Sequence, residues 1–217
     1  LVDSPYVGPY AATRLYLMDN IPVNVAVNGD FESRWNEKPA PNAEPDWLPL
    51  GQRGWNWWRF PSSQARIWTD DTQSHGGKCC VAMSESQIDS CLLTQWRTDV
   101  NSRYRLSFWA KRTDDNSGGG LGFVNIRLKN GKGGWIDDGS AIRCDITKEA
   151  IGKWAQFSII FTTPDRDDGV WVHPMFCPPR GQRPTSTLWI DDVTLEKVCS
   201  IPRRRVSQSD YAEKTLK

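Results

Sequence analysis

The stretch Thr187-Leu188-Trp189-Ile190-Asp191-Asp192-Val193-Thr194-Leu195-Glu196 sets a pair of carboxylates inside an apolar, β-prone run. A carboxylate buried in a sheet is costly unless something neutralises it, and a bound cation or an arginine does so most cheaply. Far upstream stands a second acidic insertion of the same kind, Asn28-Gly29-Asp30-Phe31-Glu32. If the two meet, they form an oxygen-only site of the type calcium prefers. Their meeting also ties the first and last strands of one β-sandwich together.

The neighbouring sequence is almost entirely of strand type. Arg103–Arg112 alternates, with Tyr104, Leu106, Phe108 and Ala110 on one face and Arg105, Ser107, Trp109 and Lys111 on the other. Phe123–Lys129 sets Val124, Ile126 and Leu128 against Asn125, Arg127 and Lys129, and Asn130-Gly131 is a hairpin signal. Cys79–Met83 is a short buried run. Ala141–Ile146, Trp154–Thr162, Gly169–Phe176 and Thr187–Val198 complete the set, with a further candidate strand at Arg14–Met18. Residues 147–152 read as one helical turn. Residues 36–62, rich in Pro, Asn and Trp, have no period and read as a long loop of the functional kind. This pattern predicts an all-β fold, an antiparallel β-sandwich or jelly roll in a single domain. Its expected body is residues 21–198, with irregular arms at 1–20 and 199–217, the latter carrying Arg203-Arg204-Arg205.

Composition narrows the function. Lys+Arg 27 against Asp+Glu 26 leaves a formal charge of +1 over 217 residues, so no global field points to nucleic acid or an acidic membrane surface. No apolar run reaches the ~20 residues of a membrane span. Twelve Trp exceed the needs of one core of this size, and exposed indoles bind things. The six cysteines (Cys79, Cys80, Cys91, Cys144, Cys177 and Cys199) contain no Cys-x-x-Cys, which excludes the usual zinc patterns. Two readings stay open for them. They bridge in an oxidising compartment, with Cys79 or Cys80 to Cys91 the favoured pair, or they serve as small core thiols. Leu at position 1 suggests a processed or excised chain.

Catalysis finds little support. Asp70-Asp71, Asp137-Asp138 and Asp167-Asp168 all stand beside turn residues, where Asp is ordinary. His75 and His173 are the only histidines, without a Gly-x-Ser-x-Gly elbow, and no phosphate loop is present. A chain that is not an enzyme is therefore expected.

Several blocks occur in a telling order: Asn28–Glu32; Asp70-Asp71-Thr72-Gln73-Ser74-His75-Gly76-Gly77-Lys78; Leu92–Gln95 with Tyr104–Lys111; Trp154–Phe157; and Leu188–Val193. In this order the chain resembles the β-sandwich carbohydrate-binding modules appended to xylanases and related glycoside hydrolases. The resemblance implies a jelly roll with a structural Ca²⁺. The implied ligands are Glu32, Asp30 through its backbone, His75 and Lys78 through their backbones, and Asp191 or Asp192; the extra glycine at Gly76-Gly77 departs from the pattern.

It also implies noncatalytic binding of a poly- or oligosaccharide by aromatic stacking, in a secreted or cell-surface setting. For a concave-face site the candidates are Trp109, Lys111, Asn125, Arg127, Trp171 and His173, which share the outward parity of their strands. For a loop-edge site they are Trp55, Trp57 and Trp58, since three indoles in four residues cannot all enter one core. Against these stand plainer roles, with the indoles covered by a loop or plugging the sandwich. The competing function is a structural or assembly subunit of an extracellular layer, filament or coat, in which the irregular arms serve self-association.

Overall fold

The computed structural model describes residues 24–33, 47–49, 52–60, 62–84, 90–113, 122–136, 142–178 and 186–200. In chain order its strands are β1 (Trp47–Pro49), β2 (Asn56–Arg59), β3 (Ile67–Asp70), β4 (Cys80–Ser84), β5 (Ser90–Leu93), β6 (Trp96–Thr98), β7 (Ser102–Arg112), β8 (Phe123–Asn130), β9 (Ile142–Asp145), β10 (Ala155–Thr162), β11 (Val170–Cys177) and β12 (Thr187–Ser200). A single 3₁₀ turn, Lys148–Ala150, is capped by the Thr147 side chain. One antiparallel sheet has the order β10-β7-β12-β4-β3. The other has seven strands in the order β1-β2-β5-β11-β8-β9, with β6 also paired to β11. The two sheets form the expected sandwich.

Alternation builds the core. Tyr104, Leu106, Phe108 and Ala110 of β7 face Val124, Ile126 and Leu128 of β8 and Val170, Val172 and Phe176 of β11 in one buried cluster. Phe108 meets Phe176 edge-on at 5.3 Å and stacks near Phe157 at 5.7 Å, geometries in which the ring quadrupoles attract.

β12 changes phase midway. Its register on β7 shifts between Asp191 and Thr194, and Asp192 takes φ 47°, a left-handed conformation that Asp tolerates. The extra residue lets both Ile190 and Val193 point inward while Asp191 lies between them on the other side. Residues 24–33 run alongside: Val25 N–H donates to Leu195 O at 2.7 Å, and Val193 N–H to Gly29 O at 2.8 Å. A Cβ at Gly29 would lie 1.8 Å from the Val193 carbonyl oxygen, so only glycine permits this approach.

Two expectations need correction. The supposed loop 36–62 contains β1 and β2, paired antiparallel, with β2 carried by β5. In β2 the adjacent Trp57 and Trp58 put indoles on both faces, so no polarity alternation marks it. Secondly, no cysteine is bridged. Cys80 is in the five-stranded sheet and Cys91 in the other. Burial pushes the Cys91 thiol well above its usual range, with a smaller contribution from Cys177, which continues the β5–β11 register opposite it. The Arg14–Met18 strand and both terminal arms lie outside the described residues, except that β12 runs on to Ser200.

Candidate functional site

The acidic blocks at the two ends of the fold converge on one turn. Phe31, fully buried against Trp55 at φ 54°, directs the following Glu32 toward residues 75–79. Glu32 Oε1 accepts N–H groups from Lys78 at 2.5 Å and Cys79 at 2.8 Å. From the other end, Asp191 Oδ2 accepts from His75 N at 2.8 Å and Gly76 N at 3.2 Å, while its Oδ1 accepts from Asp192 N at 2.8 Å. Asp192 Oδ2 is 2.7 Å from His75 Nδ1. Asp30 stays at the surface, its Oδ1 3.5 Å from Glu32 N. Glycine is needed here for space. A Cβ at Gly77, which has φ +57°, would lie 2.3 Å from Glu32 Oε1, and one at Gly76 would lie 2.8 Å from Asp192 Oδ2.

Burial raises the Asp191 carboxyl to about 6 despite its three backbone donors. The amides therefore compensate the charge incompletely. Among the described residues no three His, Cys, Asp or Glu side chains are spaced to hold one metal ion. A cation at this junction would need backbone carbonyl or water oxygens besides the acids. Glu32, Asp191 and Asp192 nevertheless bring to one turn three carboxylates, the hard oxygen donors that a divalent ion takes.

The same turn disposes of two candidate ligand residues. The β3–β4 connection lies over the outer face of the five-stranded sheet. His75 stacks on Trp109 with ring centroids 3.8 Å apart and 14° between planes, and Trp154 closes on His75 edge-on at 5.8 Å. Lys111 Nζ donates to Gln73 Oε1 at 2.7 Å. Trp109 and Lys111 thus hold down the turn.

Asn125, Arg127, Trp171 and His173 belong to β8 and β11 of the opposite sheet. The six residues share outward parity but face opposite sides of the sandwich, because a strand's period fixes a face without saying which sheet the strand joins. On the seven-stranded sheet, Met175 pairs with Asn125, His173 with Arg127 and Trp171 with Lys129. Over them lies Trp135, which the sequence reading missed. The turn 130–134 closes through Gly133 N–H to Asn130 O at 2.9 Å and Asn130 N–H to Gly134 O at 2.8 Å, and brings Trp135 back beside Lys129. The indole takes the Arg127 guanidinium at 4.2 Å and the Lys129 ammonium at 4.4 Å, and meets His173 edge-on at 5.3 Å. His173 is 1% exposed under this cover, whereas Trp135 is 45% exposed. Burial first, then Lys129 and Arg127, depress the His173 imidazole to about 3, so it is neutral at pH 7. The Asn130-Gly131 turn followed by Gly133-Gly134 was the available signal that the chain doubles back here.

The three indoles of residues 55–58 have separate fates. Trp55 is a core residue, 2% exposed, packed on Phe31, Trp96 and Phe176, with Nε1–H donating to Asn28 O at 2.9 Å. It is not available to a ligand. Trp58 turns to the other face and meets Phe60 at 4.9 Å. Trp57 pairs with Leu92 and lines a cavity of about 600 Å³ at the edge of the sandwich with Arg59, Ala65, Arg66, Ile67 and Trp68.

An all-β sandwich with indoles on several surfaces is common to many proteins, but the matched sequence is specific. The model of the family described as Carbohydrate binding domain matches residues 23–173. The chain belongs to this carbohydrate-binding family. No curated protein matches it in sequence. Among solved structures, the enzymatically active domain of bacteriophage CBA120 tailspike protein 4 is similar with TM-score 0.52 and 14% identity, over 81% of this chain and 21% of that one. This carbohydrate-binding chain therefore spans about a fifth of the tailspike chain. The Stig cyclase Fisc from Fischerella sp. TAU has TM-score 0.52 and 13% identity, covering 83% of this chain and all, 100%, of the cyclase. TmCBM61, solved with β-1,4-galactotriose, has TM-score 0.46 and 13% identity, covering 81% and 99% of the two chains. At these identities the likenesses to the tailspike domain and the cyclase concern the fold alone. No helix among the described residues is long and apolar enough to cross a membrane.

Proposed function

We propose that this domain binds a poly- or oligosaccharide without turning it over, on the outer face of the seven-stranded sheet around Trp135. One observation carries the reading: in a chain of the carbohydrate-binding family, a half-exposed indole is fixed against two cations directly above paired strands. Sugars present aliphatic C–H faces that stack on such rings. Arg127 lies against the ring, and Trp171 and Asn125 share its sheet face, to meet hydroxyl groups. The family and this surface support binding. A polysaccharide ligand in turn favours an extracellular or cell-surface setting.

The junction of Glu32, Asp191 and Asp192 is part of the proposal as a calcium site. A bound ion there would supply the positive charge that the backbone donors do not fully provide, locking the opening segment to β12. Binding to the folded state alone stabilises by about 2.7 kcal/mol at a hundredfold excess over Kd. Excess chelator should lower Tm and added Ca²⁺ restore it. An unchanged Tm would leave the amide donors as the sole closure.

Calorimetric titration with soluble xylans, β-glucans, galactans and mannans tests the binding reading. Heat is expected with at least one neutral glycan, and Trp135→Ala should weaken that binding roughly thirtyfold with little change in Tm. A folded protein that binds no glycan would overturn the reading.

A further inference from the structure

The cavity at the sandwich edge is chemically unlike the sheet face. It lies where β2 of one sheet and β3 of the other are joined by residues 60–66, so it opens between the layers. Its volume of about 600 Å³ falls in the roughly 300–1,000 Å³ range of small-molecule sites. Two walls are indoles, Trp57 and Trp68, and Trp68 is 37% exposed. Arg59 and Arg66 complete the lining, and no aspartate or glutamate is among the lining residues.

The arginines are placed differently. Arg59 is held: its guanidinium lies 4.9 Å from the Trp57 ring centroid, and its Nη1 donates to Ser63 O at 3.3 Å and Ala65 O at 3.5 Å. Arg66 is fixed through its backbone, its N–H donating to Ser84 Oγ at 2.8 Å. None of the ion pairs among the described residues involves either one. Two guanidiniums beside apolar walls attract an anion, and the planar fork matches a carboxylate in bidentate geometry. Two indoles in the same lining make the complementary ligand a ring that carries its charge at the periphery.

We infer that this edge cavity is a second glycan site, selective for a sugar unit bearing a carboxylate, a uronic acid. The inference rests on the glycan-binding reading and adds a place and a chemical class to it. Trp57 and Trp68 supply the stacking faces, Arg66 the bidentate contact and Arg59 a fixed positive charge. Sheet-face binding around Trp135 and edge binding around Arg66 are separable, because the two surfaces share no residue.

The test uses the full chain in four forms: wild type, Trp135→Ala, Arg66→Gln and Arg66→Lys. Each is titrated with a glucuronate-substituted xylo-oligosaccharide, its unsubstituted counterpart and a sulfated oligosaccharide at two salt concentrations. Trp135→Ala should retain binding of the acidic sugar, and Arg66→Gln should weaken that binding about tenfold while leaving the neutral sugar unchanged. Arg66→Lys should recover part of the loss, since a point charge replaces a fork. Higher salt should weaken only acidic-sugar binding. Equal affinity of wild type and Arg66→Gln for the acidic sugar, or its complete loss in Trp135→Ala, overturns the edge site. Preference for the sulfated probe overturns the carboxylate assignment. Binding of the neutral sugar alone sinks this inference and leaves the sheet-face reading standing; binding of the acidic sugar alone does the reverse. Tm and near-ultraviolet circular dichroism of each variant establish that a loss is not unfolding.

Discussion

The two outer faces of the sandwich carry similar side chains and put them to different uses. On the five-stranded sheet, Trp109 and Lys111 lie under the chain's own 71–79 turn, which is pinned by His75 stacking and by Gln73. On the seven-stranded sheet, Arg127 and Lys129 lie under one returning indole, Trp135, that stays half open to solvent. Alternation sends both sets outward. What separates them is whether a connecting segment finds enough partners on the face to settle there. The β3–β4 turn finds Asp191 and Glu32 as acceptors for its backbone and Asp192 as a partner for the His75 ring, and so it covers its sheet.

That contrast breaks most severely at Asp191. Replacing it with Ala removes a fully buried carboxylate that accepts from three part-buried backbone N–H groups. A donor left without a partner costs about 1–3 kcal/mol when buried and less where water reaches it, so a loss of roughly 2–4 kcal/mol is expected. Urea denaturation reads it directly. A loss below about 1 kcal/mol would show that the turn holds without this acid and that the covered face is covered for another reason.

The crossed pair of tryptophan variants sharpens the comparison. Trp109→Ala removes a stacked partner from the turn and should cost about 2 kcal/mol of stability with glycan affinity intact. Trp135→Ala should do the opposite, costing about 2 kcal/mol of binding, roughly a thirtyfold loss, with little change in Tm. Parallel losses in both variants would mean that the two faces are not functionally distinct.

How much of this could be read in advance follows from what residue types encode. β7 and β8 were legible because Tyr104 to Ala110 and Val124 to Leu128 alternate over enough residues to fix a face. Their membership of different sheets was not legible, because partner choice depends on topology rather than period. That Glu32 and Asp191 reach one turn was foreseeable from the cost of burying an acid in a strand. The groups that meet these acids were not, since the donors are main-chain N–H groups of His75, Gly76, Lys78 and Cys79, which any residue type carries. Trp57 and Trp58 hid β2 because both faces of that strand are aromatic. Trp135 escaped notice because it follows the strand that it covers and sits in a single bridge to Lys129.

The mildest test concerns His173, the buried member of the open face. Its folded-state pKa of about 3 lies below the ordinary imidazole value of 6.5. Between those values the unfolded chain binds the proton more readily, so acid favours unfolding and stability rises with pH. The contribution is complete above about pH 6.5 and is lost progressively toward pH 3. From pH 6.5 to pH 5 the loss should approach about 2 kcal/mol, at 1.36 kcal/mol per pH unit. Asp191, whose pKa is raised to about 6, contributes a slope of opposite sign. The measurement is therefore the difference between the stability curves of wild type and His173→Gln, in which groups other than position 173 cancel. A difference that does not vary with pH would mean that water reaches the imidazole. Trp135 would then rest on its sheet more loosely than Trp109 does under His75, and the open face would owe its exposed indole to weak seating rather than to a fixed platform.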